Sequence, residues 1–293
     1  MNNENKKIEL LKPKYDVVFQ ALFGENKENI TQSLISDILG EQVEIIDIKT
    51  DSTITRKYPN NKAGRLDLKT KFKDGTICQI EMQMSDEKNT IKRILYYWSR
   101  TYAEQIQRGE DYQELNKTIG IIITNYEVKE LKGIEDLDVK WQITNNKNDK
   151  RILTDDLELR IIEIPKAERI LKKDKYNRIA QWLMFLDNPN TERVEELMKE
   201  NEEVKKANSV LHIMSEDEEL QRLSELREKW ARDESSALRS AKDDGIEEGR
   251  IEGKKEGEKN KSIEIAKKMK REGLDINLIE IITELAKEEI EKL

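Results

Sequence analysis

The chain has 293 residues, of which 39% are charged and 36% are hydrophobic, and its formal net charge is −8. It is too apolar for a disordered protein, and its acidic balance gives no general indication of nucleic-acid binding. No stretch approaches 18 uncharged apolar residues and the N-terminus lacks a secretion signal, so neither a membrane span nor export is predicted. A single cysteine, Cys78, and a single histidine, His212, speak against disulfides, cysteine zinc sites and histidine-based catalysis. Any chemistry therefore rests on carboxylates.

The first 54 residues predict two helices and a strand. Residues 14–23 carry an apolar helical stripe with Asp16 near its start, and residues 29–39 form a second amphipathic segment. Residues 43–54 are rich in β-branched side chains, which is typical of a strand.

Residues 65–84 predict a β-hairpin, because two alternating runs flank an Asp-Gly pair. A two-residue loop would set apolar residues of one strand opposite polar residues of the other. A three-residue loop that ends at Gly75, in the left-handed conformation, pairs Leu68 with Ile80 and keeps the faces distinct.

The same register predicts a polar face that contains two acids. It sets Asp67 directly opposite Glu81, with Cβ atoms about 5 Å apart. Gln79 and Gln83 share that face, and Lys69 lies opposite Gln79.

The following segments complete an α/β core over residues 1–165. Residues 90–108 predict a long helix that ends at Gly109, and residues 118–124 form a continuous apolar run that is typical of a doubly buried strand. Residues 158–164 predict a further strand.

The remainder of the chain predicts helices. We divide it into a helical extension, 166–244, and a tail, 245–293, which combines a glycine repeat with a small helical segment that could be a helix-turn-helix. The repeat places a glycine at every fourth position: Gly245, Gly249, Gly253 and Gly257. We expect a helix with a self-association or hinge role, and a charged flexible linker is the alternative.

Two carboxylates that face each other repel unless a cation lies between them. A hard divalent ion such as Mg²⁺ accepts carboxylate oxygens, activates a water and stabilises charge on a phosphoryl oxygen. The alternative is that Asp67 and Glu81 merely face water, with Arg65, Lys69 and Lys71 as ion-pair partners.

The motif and its neighbours resemble the PD-(D/E)XK nuclease superfamily, and within it the recombination-promoting nuclease (Rpn) and transposase group. The resemblance rests on Asp67-x13-Glu81-x-Gln83, on the early helix KYDVVFQALFG and on the buried strand TIGIIITNY. The positions of Arg93, Tyr96, Ser99 through Tyr102 and Gln105 in the long helix also agree, as does the GxxEGxxEG tract.

The resemblance implies a fold and a set of site residues. The expected fold is α/β, a restriction-endonuclease-like core with a mixed central sheet flanked by helices, plus an all-α C-terminal extension. Asp67 and Glu81 would hold Mg²⁺ or Mn²⁺, with Asp16 as a third ligand. Gln83 stands where the wider superfamily has a lysine, and Lys69 could supply the missing positive charge.

The resemblance also implies partners and an activity. Arg93 and Gln105 would contact backbone phosphate or brace the site. The expected activity is metal-dependent endonucleolytic cleavage of DNA in recombination, mobile-element transfer or defence. The substrate would be double-stranded DNA cut with little sequence preference in the bacterial cytoplasm, and a homodimer through the C-terminal helices would supply two sites.

Two other classes remain open at the level of sequence. One is a degenerate relative that binds DNA or protein without cutting. The other is a helical interaction protein whose tail matters more than its core. The acidic charge of the tail favours packing or protein contact over DNA reading there.

Overall fold

The computed structural model describes residues 9–24, 27–50, 68–85, 89–147 and 149–293. The chain divides into two compact units, Met1–Arg232 and Asp233–Leu293. The boundaries predicted at residues 165 and 244 stay predictions, and each unit is described by itself.

A six-stranded mixed sheet forms the centre of the first unit in the described residues. Its strands are β1 (Ile45–Thr50), β2 (Leu68–Phe72), β3 (Ile77–Gln83), β4 (Thr118–Thr124), β5 (Asp138–Trp141) and β6 (Leu157–Glu163). The strand order is β1-β2-β3-β4-β6-β5, in which β3, β4 and β6 run parallel and the other pairs run antiparallel. The predicted mixed α/β core is confirmed, whereas β5 was not predicted because it is a four-residue edge strand without a fully buried side chain.

The hairpin of β2 and β3 has the predicted register. Leu68 pairs with Ile80 and Lys69 pairs with Gln79. Gly75 closes the three-residue loop with φ +93°, a conformation that favours glycine. The turn therefore determines which side chains of β3 lie on the same face as which side chains of β2. Asp67, together with residues 51–66, lies outside the described residues.

Helices cover both faces of the sheet. The helices of the first unit are α1 (Asp16–Phe23), α2 (Glu28–Leu39), α3 (Thr90–Ala103), α4 (Ala167–Lys173), α5 (Arg178–Asp187), α6 (Glu192–Leu197), α7 (Glu202–Met214) and the start of α8 (Glu218–Arg271). On one face, Phe19, Ile80 and Trp182 belong to the large apolar core that α1, α2 and α5 share with the strands. Cys78 is fully buried in this core, and burial raises the pKa of its thiol to about 12, so it is a packing residue.

Helix α3 packs on the other face, in a smaller cluster that includes Ile94, Ile122 and Ile161. It lies close to the sheet at Gly120, where an added Cβ would be 3.7 Å from the Ile94 side chain of α3. The helix ends at Ala103 and not at Gly109 as predicted.

The side chain of Gln105 explains this earlier end. It donates to the carbonyl of Asn116 at 3.1 Å and to the hydroxyl of Thr118 at 2.9 Å, and it accepts from the Asn116 N–H at 2.9 Å. These bonds hold residue 105 against the loop that enters β4.

The second unit contains the rest of α8, then α9 (Ile276–Thr283) and α10 (Lys287–Glu291). All four repeat glycines lie within α8, which confirms the helical prediction for this tract. A separate apolar cluster of Ala266, Ile279, Leu285 and Ile290 holds the three helical segments together. The turn between α9 and α10 places Glu284 at φ +56°, where a glycine would be unstrained.

Candidate active site

Three polar side chains of β3 point to the face that α3 covers. Gln79, Glu81 and Gln83 alternate along the strand and are 2%, 4% and 6% exposed. The apolar residues between them enter the large core on the other face. A glutamate at this depth needs a counter-charge, since an unpaired buried charge is strongly unfavourable.

Arg93 on α3 supplies that counter-charge. Its Nε donates to Oε1 of Glu81 at 2.5 Å, and its guanidinium lies 5.7 Å from the centre of the Tyr97 ring. The Arg93 side chain is 32% exposed, so the ion pair extends from the buried strand to the surface. Arg93 was predicted to contact phosphate or to brace the site, and its described contact is with Glu81.

Gln83 lies at the end of β3, one position beyond Met82. Its side-chain amide donates to the carbonyl of Ser85 at 3.0 Å. An amide carries no positive charge, so Gln83 can orient a water or offer an oxygen but cannot replace a lysine electrostatically.

Gln79 binds α3 to the strand. Its amide and the hydroxyl of Thr101 are hydrogen-bonded at 2.5 Å. Its strand partner, Lys69, lies beside the C-terminal part of α3, where its Nζ is 3.9 Å from Oε2 of Glu104. Burial lowers the pKa of Lys69, and the nearby charges of Lys49 and Arg100 lower it further, while Glu104 opposes this shift.

Asp16 and Gln105 have structural partners. Asp16, at the first residue of α1, accepts from the Val17 N–H at 2.9 Å and forms an ion pair with Arg227 at 2.9 Å. Gln105 holds the loop before β4, as described above. The geometry thus brings Glu81 and Arg93 together, places Lys69 one strand away, and gives Asp16 a cationic partner on α8.

The donor set fits a hard divalent cation only with Asp67 included. Within the described ranges, no group of three or more His, Cys, Asp or Glu residues is arranged to hold a metal ion. Glu81 is a buried carboxylate, and Gln83 on the same face carries an amide oxygen. These are the ligand types that Mg²⁺ prefers, and a second carboxylate at position 67 would complete a pair.

Three basic residues in this region were not predicted: Lys49, Arg100 and Arg227. Lys49 is opposite Lys69, but the pairing of β1 with β2 is not encoded in either strand. Arg100 could have been found from its spacing, since it lies seven residues after Arg93 on the same helix. Arg227 is distant in sequence from Asp16, and no local pattern marks their contact.

No helix in the described part of the chain combines the length and apolarity that crossing a bilayer requires.

A comparison with protein-family models identifies the family of this chain. The family model described as PD-(D/E)XK nuclease family transposase matches residues 13–241, which covers the whole sheet and the helices around it. Neither the curated proteins nor the solved structures contain a match. The matched region includes Asp67, Glu81 and the mixed sheet that the family resemblance implied, and the family is of nuclease type. The chain therefore belongs to the PD-(D/E)XK nuclease family of transposases.

Proposed function

We propose that the protein is a divalent-metal-dependent endodeoxyribonuclease that cuts double-stranded DNA with little sequence preference. The observation that carries this proposal is the hairpin register, in which Leu68 pairs with Ile80 and Glu81 is the next residue of β3. Continued by one residue pair, the same register would set Asp67 opposite Glu81. Two opposed carboxylates at the edge of a buried polar face favour a cation between them.

In this proposal Asp67 and Glu81 hold Mg²⁺ or Mn²⁺. The ion, when bound, makes a coordinated water more nucleophilic and stabilises charge on the phosphoryl oxygens. Gln83 orients the water through its amide. Arg93 supplies the positive charge that Gln83 lacks, because its guanidinium contacts Glu81 directly while the ammonium of Lys69 lies against Glu104.

Asp16 is a third ligand only if it leaves Arg227. Its ion pair with Arg227 competes with metal coordination by the same oxygen, and Arg227 is less easily displaced than Arg93, since its side chain is 18% exposed against 32% for Arg93. Asp16→Asn should therefore weaken Mn²⁺ binding by less than Glu81→Gln does, and calorimetry of both variants would rank the two ligands.

The test of the proposal is cleavage of supercoiled plasmid DNA in Mg²⁺ or Mn²⁺. Asp67→Asn and Glu81→Gln should each slow nicking by about a thousandfold, since a bound metal lowers the activation barrier by several kcal/mol and each 1.36 kcal/mol is tenfold in rate. Glu168→Gln removes an exposed carboxylate far along the chain and should cut like the wild type. EDTA should abolish cutting by all variants.

Equal nicking by the wild type and both site variants, or activity that survives EDTA, would exclude the assignment. A wild type that binds DNA but neither binds Mn²⁺ nor cuts would support the alternative, a degenerate relative that acts as a binding module. The close Glu81–Arg93 contact favours this alternative as the second candidate, because the guanidinium already neutralises the carboxylate.

A further inference from the structure

A row of side chains crosses three strands beside the candidate site. Lys49 of β1 is opposite Lys69 of β2, and Lys69 is opposite Gln79 of β3. Directly opposed residues of paired antiparallel strands lie on one face of the sheet. Gln79 lies under α3, the Lys69 side chain is 32% exposed and the Lys49 side chain is 72% exposed, so the row runs from the covered part of the sheet to its open part.

Helix α3 adds a third cation at the margin of this open face. Arg100 and Glu104 lie one turn apart near its C-terminal end, and Glu104 approaches both Arg100, at 2.6 Å, and Lys69, at 3.9 Å. Lys49 is 3.5 Å from Asp47. Within the part of the chain that the structure describes, these three cations share two carboxylates, and two of the three distances are long for an ion pair.

Opposed lysines on neighbouring strands repel each other, which is unfavourable for the folded protein unless an anion compensates. The local excess of positive charge contrasts with the net charge of −8 of the whole chain. An anion at this place would relieve the repulsion between the opposed lysines.

The distance between the cations and Glu81 indicates which anion fits. Lys69 lies opposite Gln79, which is two residues from Glu81 on β3, a separation of about 7 Å along the strand. A polymer with a charge at every unit can therefore reach the cations while another of its units lies at Glu81. A nucleic-acid backbone has this property, and lysine and arginine are the residues that neutralise its phosphates.

We propose that Lys49, Lys69 and Arg100 form a phosphate-binding subsite for the nucleic-acid backbone, and that Glu104 occupies it in the free protein. This inference rests on the proposed function, because it names the subsite that holds the substrate beside Glu81. It assigns binding, and not bond cleavage, to Lys69.

The experiment measures binding of a fluorescein-labelled 20-base-pair DNA duplex by anisotropy, in EDTA so that no cleavage occurs, at several salt concentrations. Lys49→Gln and Lys69→Gln should each lower the slope of log affinity against log salt by about 1, the value for one phosphate contact. Glu104→Gln should have the opposite effect and tighten binding several-fold, because it removes the competing carboxylate.

Two matched controls separate local from general charge effects. Lys172→Gln removes an exposed lysine whose side chain is 71% accessible, against 72% for Lys49. Glu200→Gln removes a carboxylate of 46% accessibility, against 49% for Glu104. Both should bind with the wild-type slope. Circular dichroism verifies that each variant is folded. If Lys69→Gln is unfolded, the salt slope of Lys49→Gln alone decides the test.

Wild-type slopes for Lys49→Gln and Lys69→Gln, or no tightening by Glu104→Gln, would overturn the subsite, as would a wild type that does not bind the duplex. The plasmid assay tests the proposed function separately from this binding experiment. If cutting depends on Glu81 but the lysine variants keep the wild-type salt slope, only the subsite is excluded. If the lysine variants change the salt slope but the protein does not cut, the nuclease assignment is excluded and the subsite stands.

Discussion

Two buried glutamates on parallel strands of the same sheet differ in the partners that neutralise them. Glu163, at the end of β6, is 0% exposed, forms an ion pair with Lys166 and accepts from the Val128 N–H at 2.6 Å. Glu81, on β3, is paired with Arg93. Both satisfy the requirement that a buried charge has a counter-charge, so burial and pairing alone do not distinguish a structural acid from a candidate ligand.

The counter-ion distinguishes them. Lys166 is 2% exposed and donates to the carbonyls of Ile134 at 2.7 Å and Asp136 at 3.1 Å, so its charge is fixed by the fold. Arg93 reaches Glu81 from a neighbouring helix with its side chain 32% exposed. A partly solvated partner can be displaced by a metal ion or a phosphate, and an enclosed partner cannot. The exposure of the partner is therefore the more informative property.

The largest expected difference between the two acids is in stability. Glu163→Gln leaves the charge of Lys166 buried without its carboxylate and should lower the free energy of unfolding by about 3–5 kcal/mol. Glu81→Gln should lower it by about 1 kcal/mol or less, since Arg93 can turn towards water. Urea denaturation of both variants measures this difference, and equal losses would show that the exposure of the counter-ion does not distinguish the two acids.

The second expected effect concerns how closely α3 approaches the Glu81 face. Gly120→Ala would place a Cβ at 3.0 Å from Leu159 and at 3.4 Å from the Gln79 amide. Such overpacking should destabilise the fold by about 1–3 kcal/mol. It should also shift the Gln79 amide, which is hydrogen-bonded to Thr101 of α3, the helix that carries Arg93. Plasmid cutting measured well below the melting temperature should fall.

A glycine of the second unit serves as the control for this substitution. Gly253 lies in α8 with nothing within 4 Å of an added Cβ, so Gly253→Ala should leave cutting unchanged. Unchanged cutting by a folded Gly120→Ala variant would mean that the position of α3 does not matter for the site.

The smallest expected effect concerns acid stability and a third buried acid, Glu158 of β6. Burial would raise its pKa, but hydrogen bonds from Arg160, Lys117 and Lys140 lower it below its ordinary value of 4.5. A lowered pKa in the folded state stabilises the protein above pH 4.5, and this contribution is lost as the pH falls through the folded-state pKa.

The free energy of unfolding should therefore fall more steeply on acidification for the wild type than for Glu158→Gln. Asp138 contributes with the opposite sign, because burial and the nearby charge of Glu158 raise its pKa, so the difference between the two proteins reports the net effect of both carboxylates. Parallel curves between pH 6 and pH 3.5 would show that Glu158 is not linked to folding in this way.

Local sequence signals predicted most of the fold and, within the candidate site, the polar face that contains Glu81. Strand β4 and the β2–β3 register follow from apolar runs and from the turn chemistry of Gly75, which act within a few residues. The polar face with Glu81 follows from that register. Each of these predictions depends on a periodicity within one hairpin or one strand.

The remaining features depend on contacts between distant segments. The pairing of Lys49 with Lys69, the contact of Arg227 with Asp16 and the early end of α3 at Ala103 arise from tertiary packing. Strand β5 has too few residues to carry a period. Sequence periodicity states which face a residue occupies, but not which other element will cover that face.

The three-residue turn at Gly75 has a consequence for how this hairpin can change in evolution. Side chains alternate along a strand, so loss or gain of a single codon between β2 and β3 would rotate every later residue of β3 to the opposite side and send Glu81 into the hydrocarbon interior. Changes of two codons would preserve the alternation. We therefore expect natural length variation at this turn to occur in even steps.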